Sequence, residues 1–278
     1  MNFTWSPQET PPEITITGWG WARAVLRGLP LLLVLLSGVV LMALMRLIER
    51  PLHGLARPWT PVITVVVCRI SLRILGLRHR VEGQVMAQNG AFVANHSSWL
   101  DIFALNAATR LYFVSKSEVA GWPGIGLLAK ITGTVFIARD RTQARLQQKM
   151  FETRLTAGHR LLFFPEGTST DNFRVLPFKS TLFQAFFEDG LRQTLYIQPL
   201  SVVYTAPSGQ DARFYGWWGD MEFGPHALAL LATPGGGQVK VVCHAPIPVR
   251  DMADRKALAA RSERAVRSGM PQARQSDH

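Results

Sequence analysis

The segment Asn95-His96-Ser97-Ser98-Trp99-Leu100-Asp101 sets an imidazole and a carboxylate five residues apart, directly after an apolar run at 91–94. A strand end followed by a helix start lets the two meet, because the turn between them need not obey helical spacing. A carboxylate on one ring nitrogen fixes the tautomer and compensates an imidazolium, leaving the other nitrogen to take a proton from a hydroxyl. Taken alone, the segment reads equally well as a capping Asn or Ser beside an incidental histidine. A second piece, Phe164-Pro165-Glu166-Gly167-Thr168, again follows an apolar run. It offers a carboxylate, a close-approach backbone position and a hydroxyl, an assembly suited to holding a polar acceptor against a base; the alternative is an ordinary β-to-α turn. A third, GTVFIAR at 133–139, ends in Arg139, placed to grip a phosphate or carboxylate just beyond a strand, or else solvated at the surface.

Elements able to position these pieces are visible around them. Apolar runs at 91–94, 111–114, 134–137, 161–164, 196–203 and 239–244 read as strands, and segments 98–108, 122–130, 141–157 and 177–189 between them read as helices. The alternation predicts an α/β fold, a mixed, mostly parallel β-sheet flanked by helices, with ligands beyond the C-terminal strand ends. Segment 211–237, with Trp217, Trp218, Met221 and Phe223, breaks the rhythm. It is a lid or interfacial loop, or an ordinary connection whose aromatics fill a groove. The expected division is an N-terminal membrane-anchoring helical region at 1–80, the α/β domain at 81–250, and a basic C-terminal tail at 251–278.

The order and spacing of the motifs resemble the glycerolipid acyltransferase family that includes the 1-acyl-glycerol-3-phosphate acyltransferases. NHSSWLD at 95–101 is similar to its NHxxxxD block, and FPEGT at 164–168 to its third block. The resemblance spans about residues 75–250. It implies His96 as catalytic base with Asp101 as its partner, and Arg139, Glu166, Gly167, Thr168, Lys116 and Lys179 around the acceptor. Gln198-Pro199-Leu200 stands where the family has a fourth block. The donor it implies is an acyl carrier protein or CoA thioester, used as a co-substrate, with no cofactor. Phosphate-acceptor members commonly follow FPEGT with Arg-Ser; here Ser169-Thr170-Asp171-Asn172 follows. Losing a cation and gaining a carboxylate disfavours an anionic acceptor and suits an amine-bearing one. FPEGTSTD together with WWGDMEFGPH resembles the bacterial lyso-ornithine lipid O-acyltransferases of the same family. Lyso-ornithine lipid is therefore the preferred acceptor, lysophosphatidic acid the alternative, and use of both is a further one.

The 278 residues carry 30 Lys+Arg against 19 Asp+Glu, a net +11. By segment the surplus is +6 over 1–80, +2 over 81–249 and +3 over 250–278, so the basic flanks suit an anionic membrane surface. Gly28 to Met45 is uncharged; as a helix its 18 residues reach roughly 27 Å, near the lower limit for a bilayer span, with Pro30 in the first turn. A buried core helix is the alternative. Arg46, Arg50 and Arg57 follow it, and Arg69 and Arg73 lie four apart on one side of a helix from about Val62, so these five are expected to hold the anionic leaflet. The basic excess on that side favours a catalytic domain on the cytoplasmic face of a bacterial inner membrane, with either a full crossing or a helical hairpin in one leaflet. Two distant cysteines make no disulfide framework.

Other classes fit less well. A nucleic-acid binder would concentrate its cations beside a recognisable motif. A hydrolase would show a G-x-S-x-G elbow, and no such elbow surrounds Ser97 or Ser98. The histidines form no compact metal-ligand pattern, and Gly121, Gly124 and Gly126 lack nucleotide-loop spacing, so no metal and no nucleic acid are expected as partners.

Overall fold

The computed structural model describes Trp5 and residues 15–122, 124–137, 144–188 and 190–271, with the side chains of 144–148 left aside. Two N-terminal helices, α1 (Gly18–His53) and α2 (Thr60–Ile74), precede the sheet. The strands are β1 (Arg78–Glu82), β2 (Gly90–Ala94), β3 (Tyr112–Lys116), β4 (Val135–Ile137), β5 (Leu161–Phe163), β6 (Tyr196–Thr205), β7 (Gln238–Cys243) and β8 (Ile247–Pro248). Between and after them run α3 (Asp101–Ala108), α4 (Ile125–Thr132), α5 (Ala144–Thr156), α6 (Phe223–Ala232) and α7 (Arg255–Ser268). The strand order is β1-β7-β6-β2-β5-β3-β4, with β8 against β6. Pairs β6–β2, β2–β5, β5–β3, β3–β4 and β1–β7 are parallel; β6–β7 and β6–β8 are antiparallel.

β2 is central, and all five of its residues are buried. Its alternate side chains feed two cores. Phe92 and Ala94 join Leu72 of α2, Leu105 of α3 and Leu230 of α6 on one face. Ala91 and Val93 join Leu155 of α5, Phe183 and Leu258 of α7 on the other. A strand covered on both faces must be apolar throughout, as β2 is. The edge strand β1 (RHRVE) is largely exposed and charged, a composition that discourages edge pairing. Its polarity hid it from the periodicity reading, and it starts the sheet at Arg78, just ahead of the expected boundary at 81.

Three expectations need correction. Pro30 is not in a first turn: α1 begins at Gly18, where the Thr17 hydroxyl accepts from Gly20 N at 3.3 Å, so Pro30 lies inside a 36-residue helix. The earlier start is pinned by Arg23 and Arg27, which donate to the carbonyls of Ala232 (3.1 Å) and Thr233 (2.7 Å) at the end of α6. Segment 177–189 contains a 3₁₀ helix at Ser180–Phe187 in place of an α-helix. Residues 251–278 are not simply a tail, because Arg255–Ser268 form α7, capped by Asp254. Leu258, Ala259, Ser262 and Val266 share its buried face. That stripe is short and interleaved with arginines, so composition concealed it.

α1 packs lengthwise on α2 and α6. Gly38 permits the approach to α2, since a Cβ there would stand 2.6 Å from Val67 Cγ2. Its outer side stays apolar and exposed along the whole length, from Trp19 and Leu26 through Leu33 and Leu36 to Leu44 and Leu47. It is the one described helix long and apolar enough to cross a membrane. At about 1.5 Å per residue it measures roughly 54 Å, well beyond a hydrocarbon core of about 30 Å.

If α7 is part of the core, Leu258→Ala costs about 2–5 kcal/mol in denaturant unfolding of the purified protein. The exposed Lys256→Ala on the same helix stays within about 0.5 kcal/mol. Equal effects from the two would mean that α7 does not contribute to folding.

Candidate active site

His96 lies two residues beyond the end of β2, and Asp101 opens α3. The chain between them folds around the carboxylate. Asp101 Oδ2 meets His96 Nδ1 at 2.8 Å and accepts from the backbone N–H of Ser97 (2.8 Å) and Ser98 (3.1 Å). Oδ1 accepts from the Tyr204 hydroxyl at 2.7 Å. Asp101 is fully buried, and the His96 side chain is 20% exposed. Burial, then the charge of Asp101, holds the Tyr204 phenol well above its ordinary value, so it stays a donor. With three donors already on the carboxylate, Nδ1 carries a hydrogen and donates to it, which leaves the lone pair on Nε2. Nε2 makes no hydrogen bond among the described residues, and the ring stacks on Phe164 at 4.0 Å and 11°.

The FPEGT turn follows β5, the neighbour of β2. Glu166 is buried, and its carboxylate accepts from His96 N (2.7 Å) and Leu176 N (2.8 Å). Burial pushes this carboxyl up to about 8 against the pull of those two N–H groups. Glu166 therefore holds the main chain of His96, and both of its oxygens are committed inside the protein. Gly167 has φ +75°, and a Cβ there would stand 2.5 Å from Lys179 Nζ. The left-handed backbone favours glycine, and the end of the Lys179 side chain passes over it. The Thr168 hydroxyl accepts from Trp5 N at 3.2 Å. Lys116 ends β3 at the same sheet edge. Because β2, β5, β3 and β4 are parallel, the chain leaves all four at this edge. Arg139, two residues past β4, lies outside the described residues.

Two asparagines extend the sheet beyond its backbone. Asn95 pairs its amide with both the N–H (2.7 Å) and C=O (2.9 Å) of Val202. Asn172, at φ 69°, does the same to Tyr204 at 3.0 and 2.9 Å. The pairing of Asn172 also positions the strand residue whose phenol reaches Asp101. Neither Tyr204 nor Asn172 stands out in sequence; the signal is the continuation of the QPL block into an uncharged strand, buried from Ile197 to Tyr204.

Asp171 does not present the free charge expected of it. Its carboxylate is buried, accepts from Phe173 N at 3.0 Å and pairs with Arg174 at 3.2 Å. Its charge is met within its own turn. Segment 211–237 is no free loop either: Trp218 is buried, Trp217 N donates to Ser97 O at 2.8 Å, and α6 follows.

Of the five arginines expected at the membrane, Arg50, Arg69 and Arg73 are exposed. Arg46 pairs with Glu49 at 3.1 Å, and Arg69 donates to Ala107 O at 2.9 Å. Arg57 lies 5.8 Å from the centre of the Tyr112 ring.

Residues 78–203 match the Acyltransferase family. The chain is 57% identical over 268 residues to the lyso-ornithine lipid O-acyltransferase of Rhodobacter capsulatus, covering 96% of this chain and 97% of that one. It is 37% identical to the enzyme of the same name from Brucella abortus, over 72% and 78% of the two chains. The crystal structure of the 1-acyl-sn-glycerophosphate (LPA) acyltransferase PlsC from Thermotoga maritima shares the fold, with TM-score 0.62 at 19% identity over 90% of this chain and 96% of that one. The 57% identity over nearly the full chain to the Rhodobacter capsulatus enzyme, on a strand edge built around NHSSWLD and FPEGT, makes this chain a member of the glycerolipid acyltransferases, within the bacterial lyso-ornithine lipid O-acyltransferase group.

Proposed function

We propose that this acyltransferase moves a fatty acyl group from an acyl carrier protein or CoA thioester to the hydroxyl of lyso-ornithine lipid, with His96 as general base. The carrying observation is the Asp101-oriented ring, whose Nε2 is unpartnered among the described residues and whose side chain is partly open to solvent. Nε2 takes the hydroxyl proton as the oxygen attacks the thioester carbonyl, and Asp101 compensates the imidazolium. When the tetrahedral intermediate collapses, the same proton passes from Nε2 to the departing thiolate sulfur. No acyl-enzyme is needed, and Ser97 and Ser98 are both buried. In this reading Tyr204 and Glu166 are positioning residues, one for Asp101 and one for the His96 main chain. Gly167, Thr168, Lys179 and Lys116 are assigned to the acceptor side, and the family resemblance adds Arg139 to them.

The acceptor assignment now rests on similarity to the named relatives, because the charge of Asp171 is internally paired. Lysophosphatidic acid is the competing acceptor. The membrane reading is a leaflet-embedded anchor: α1 is too long for a simple span, packs along the domain, and presents an apolar outer side. A cytoplasmic inner-membrane placement agrees with the use of a carrier or CoA thioester.

His96→Ala abolishes transfer while the protein still sediments with vesicles. Tyr204→Phe lowers kcat by about tenfold at little change in either KM, because a buried acceptor of Asp101 loses its donor. Wild-type turnover by either variant would end the assignment. In a competition with equal lyso-ornithine lipid and lysophosphatidic acid and one acyl carrier protein thioester, ornithine lipid is the main product. Formation of phosphatidic acid alone would reverse the acceptor assignment, and free fatty acid formed regardless of acceptor would indicate hydrolysis.

A further inference from the structure

A second group of charges gathers at the opposite end of the parallel strands. Tyr112 opens β3, Gly133 leads into β4 and His159 leads into β5, so all three lie at the edge away from His96. Arg154, in the last turns of α5, stands 4.6 Å over the Tyr112 ring and donates through Nη2 to Gly133 O at 2.7 Å. Arg57, from the turn between α1 and α2, sits 5.8 Å from the same ring and so close to Gly133 that a Cβ there would stand 2.5 Å from Arg57 Nη1. The ring of His159 stacks on Tyr112 at 4.4 Å.

Among the described residues these cations have no counterion of their own. Glu49 is the carboxylate whose charge reaches the group, yet it is fully buried and accepts from Trp59 N, Thr60 N, the Thr60 hydroxyl and Arg46. Arg154 Nε and His159 Nδ1 are buried with no hydrogen-bond partner. Arg57 donates no hydrogen bond among the described residues. Burial first, then repulsion from Arg57, brings Arg154 down to about 10; burial, then Arg154, brings His159 down to about 4. His159 Nε2 donates to Leu55 O at 2.9 Å, so the neutral ring leaves Nδ1 bare. Stacking on tyrosine attracts a guanidinium but does not satisfy its N–H groups, and paired burial is the ordinary solution for such charges. The last turns of α1 expose Ile48 and Leu52, and Leu55, whose carbonyl accepts from His159, is exposed just after the helix.

We propose that Arg57 and Arg154, framed by Arg46, Tyr112 and His159, form an anion site apart from the candidate active site that takes the phosphate of a membrane phospholipid headgroup, with the acyl chains along the end of α1. A free phosphate shares the recognised chemistry; the lipid as its source rests on the leaflet-anchor reading. Two guanidiniums offer the forked donors that suit an oxyanion. An anion seated between them also favours protonation of His159 at Nδ1, which then becomes a third donor.

The test uses the full chain in nonionic detergent, measuring thermal midpoints with inorganic phosphate, with dihexanoyl phosphatidylglycerol below its micellar concentration, and with dihexanoyl phosphatidylcholine. Binding of the same protein to phosphatidylcholine vesicles, with and without phosphatidylglycerol, is read separately. Phosphatidylglycerol raises the midpoint of the wild type more than phosphatidylcholine does. Arg57→Gln weakens that response by about tenfold or more. Without ligand the variant is as stable as the wild type or more so, since Arg57 repels Arg154 and has no hydrogen bond to lose. Arg261→Gln, which removes an exposed charge on α7, responds as the wild type does. An equal response from Arg57→Gln, or no response of the wild type to either phosphate or phosphatidylglycerol, overturns the site. A response to phosphate alone keeps the anion site and overturns its lipid source. Loss of binding to all vesicles defeats the anchor reading and leaves the detergent result to judge the site.

Discussion

The buried carboxylate of Asp101 is the point around which the active edge is organised. A fully buried carboxylate is costly unless its lone pairs are met, and here two backbone N–H groups, a phenol and an imidazole meet them. The demand shapes the surroundings. Residues 97 and 98 must turn their amides inward, which keeps the loop tight, and Tyr204 must come from β6 beneath it. The ring that completes the set is held in one tautomer by the same geometry. Removing the carboxylate would therefore disturb a loop as well as the orientation of the His96 ring.

The backbone that carries His96 is fixed by side chains imitating strands. Asn95 continues β2 alongside Val202, and Asn172 holds Tyr204, each with one donor and one acceptor. Glu166 closes the other side by accepting His96 N, while Thr170 N donates to His96 O at 2.9 Å. The FPEGT turn is thus tied to the NHSSWLD turn through main-chain atoms of the histidine itself. Two motifs about seventy residues apart form a single support.

Much of this was legible in the residues. The six apolar runs became six strands, and the strand-end position of His96 beside Asp101 follows from segment order and turn geometry. What escaped notice had no apolar periodicity or no local partner. β1 is a charged edge strand; α7 hides a narrow apolar stripe among arginines. Tyr204 acts across 103 positions of chain. Asp171 misled for a related reason: a charge read along the sequence says nothing of the Arg174 that neutralises it three residues later. Charge is visible in sequence, but pairing is a property of the fold.

The N-terminal arginines carry that distinction furthest. As a sum they suggested attraction to an anionic surface. Arg23, Arg27 and Arg69 turn instead to the carbonyls of Ala232, Thr233 and Ala107, at the C-terminal ends of α6 and α3. Those carbonyls have no partner within their own helices and carry the negative end of the helix dipole, so each guanidinium meets both needs at once. Cations held in this way bind α1 and α2 to the α/β domain, even where, as at Arg69, the side chain is exposed. The surface best suited to a membrane is instead the apolar outer side of α1, whose exposed Leu and Val side chains run the length of the helix. A domain packed along such a helix holds its His96 edge at a set position relative to that apolar side, as suits an enzyme with a lipid acceptor.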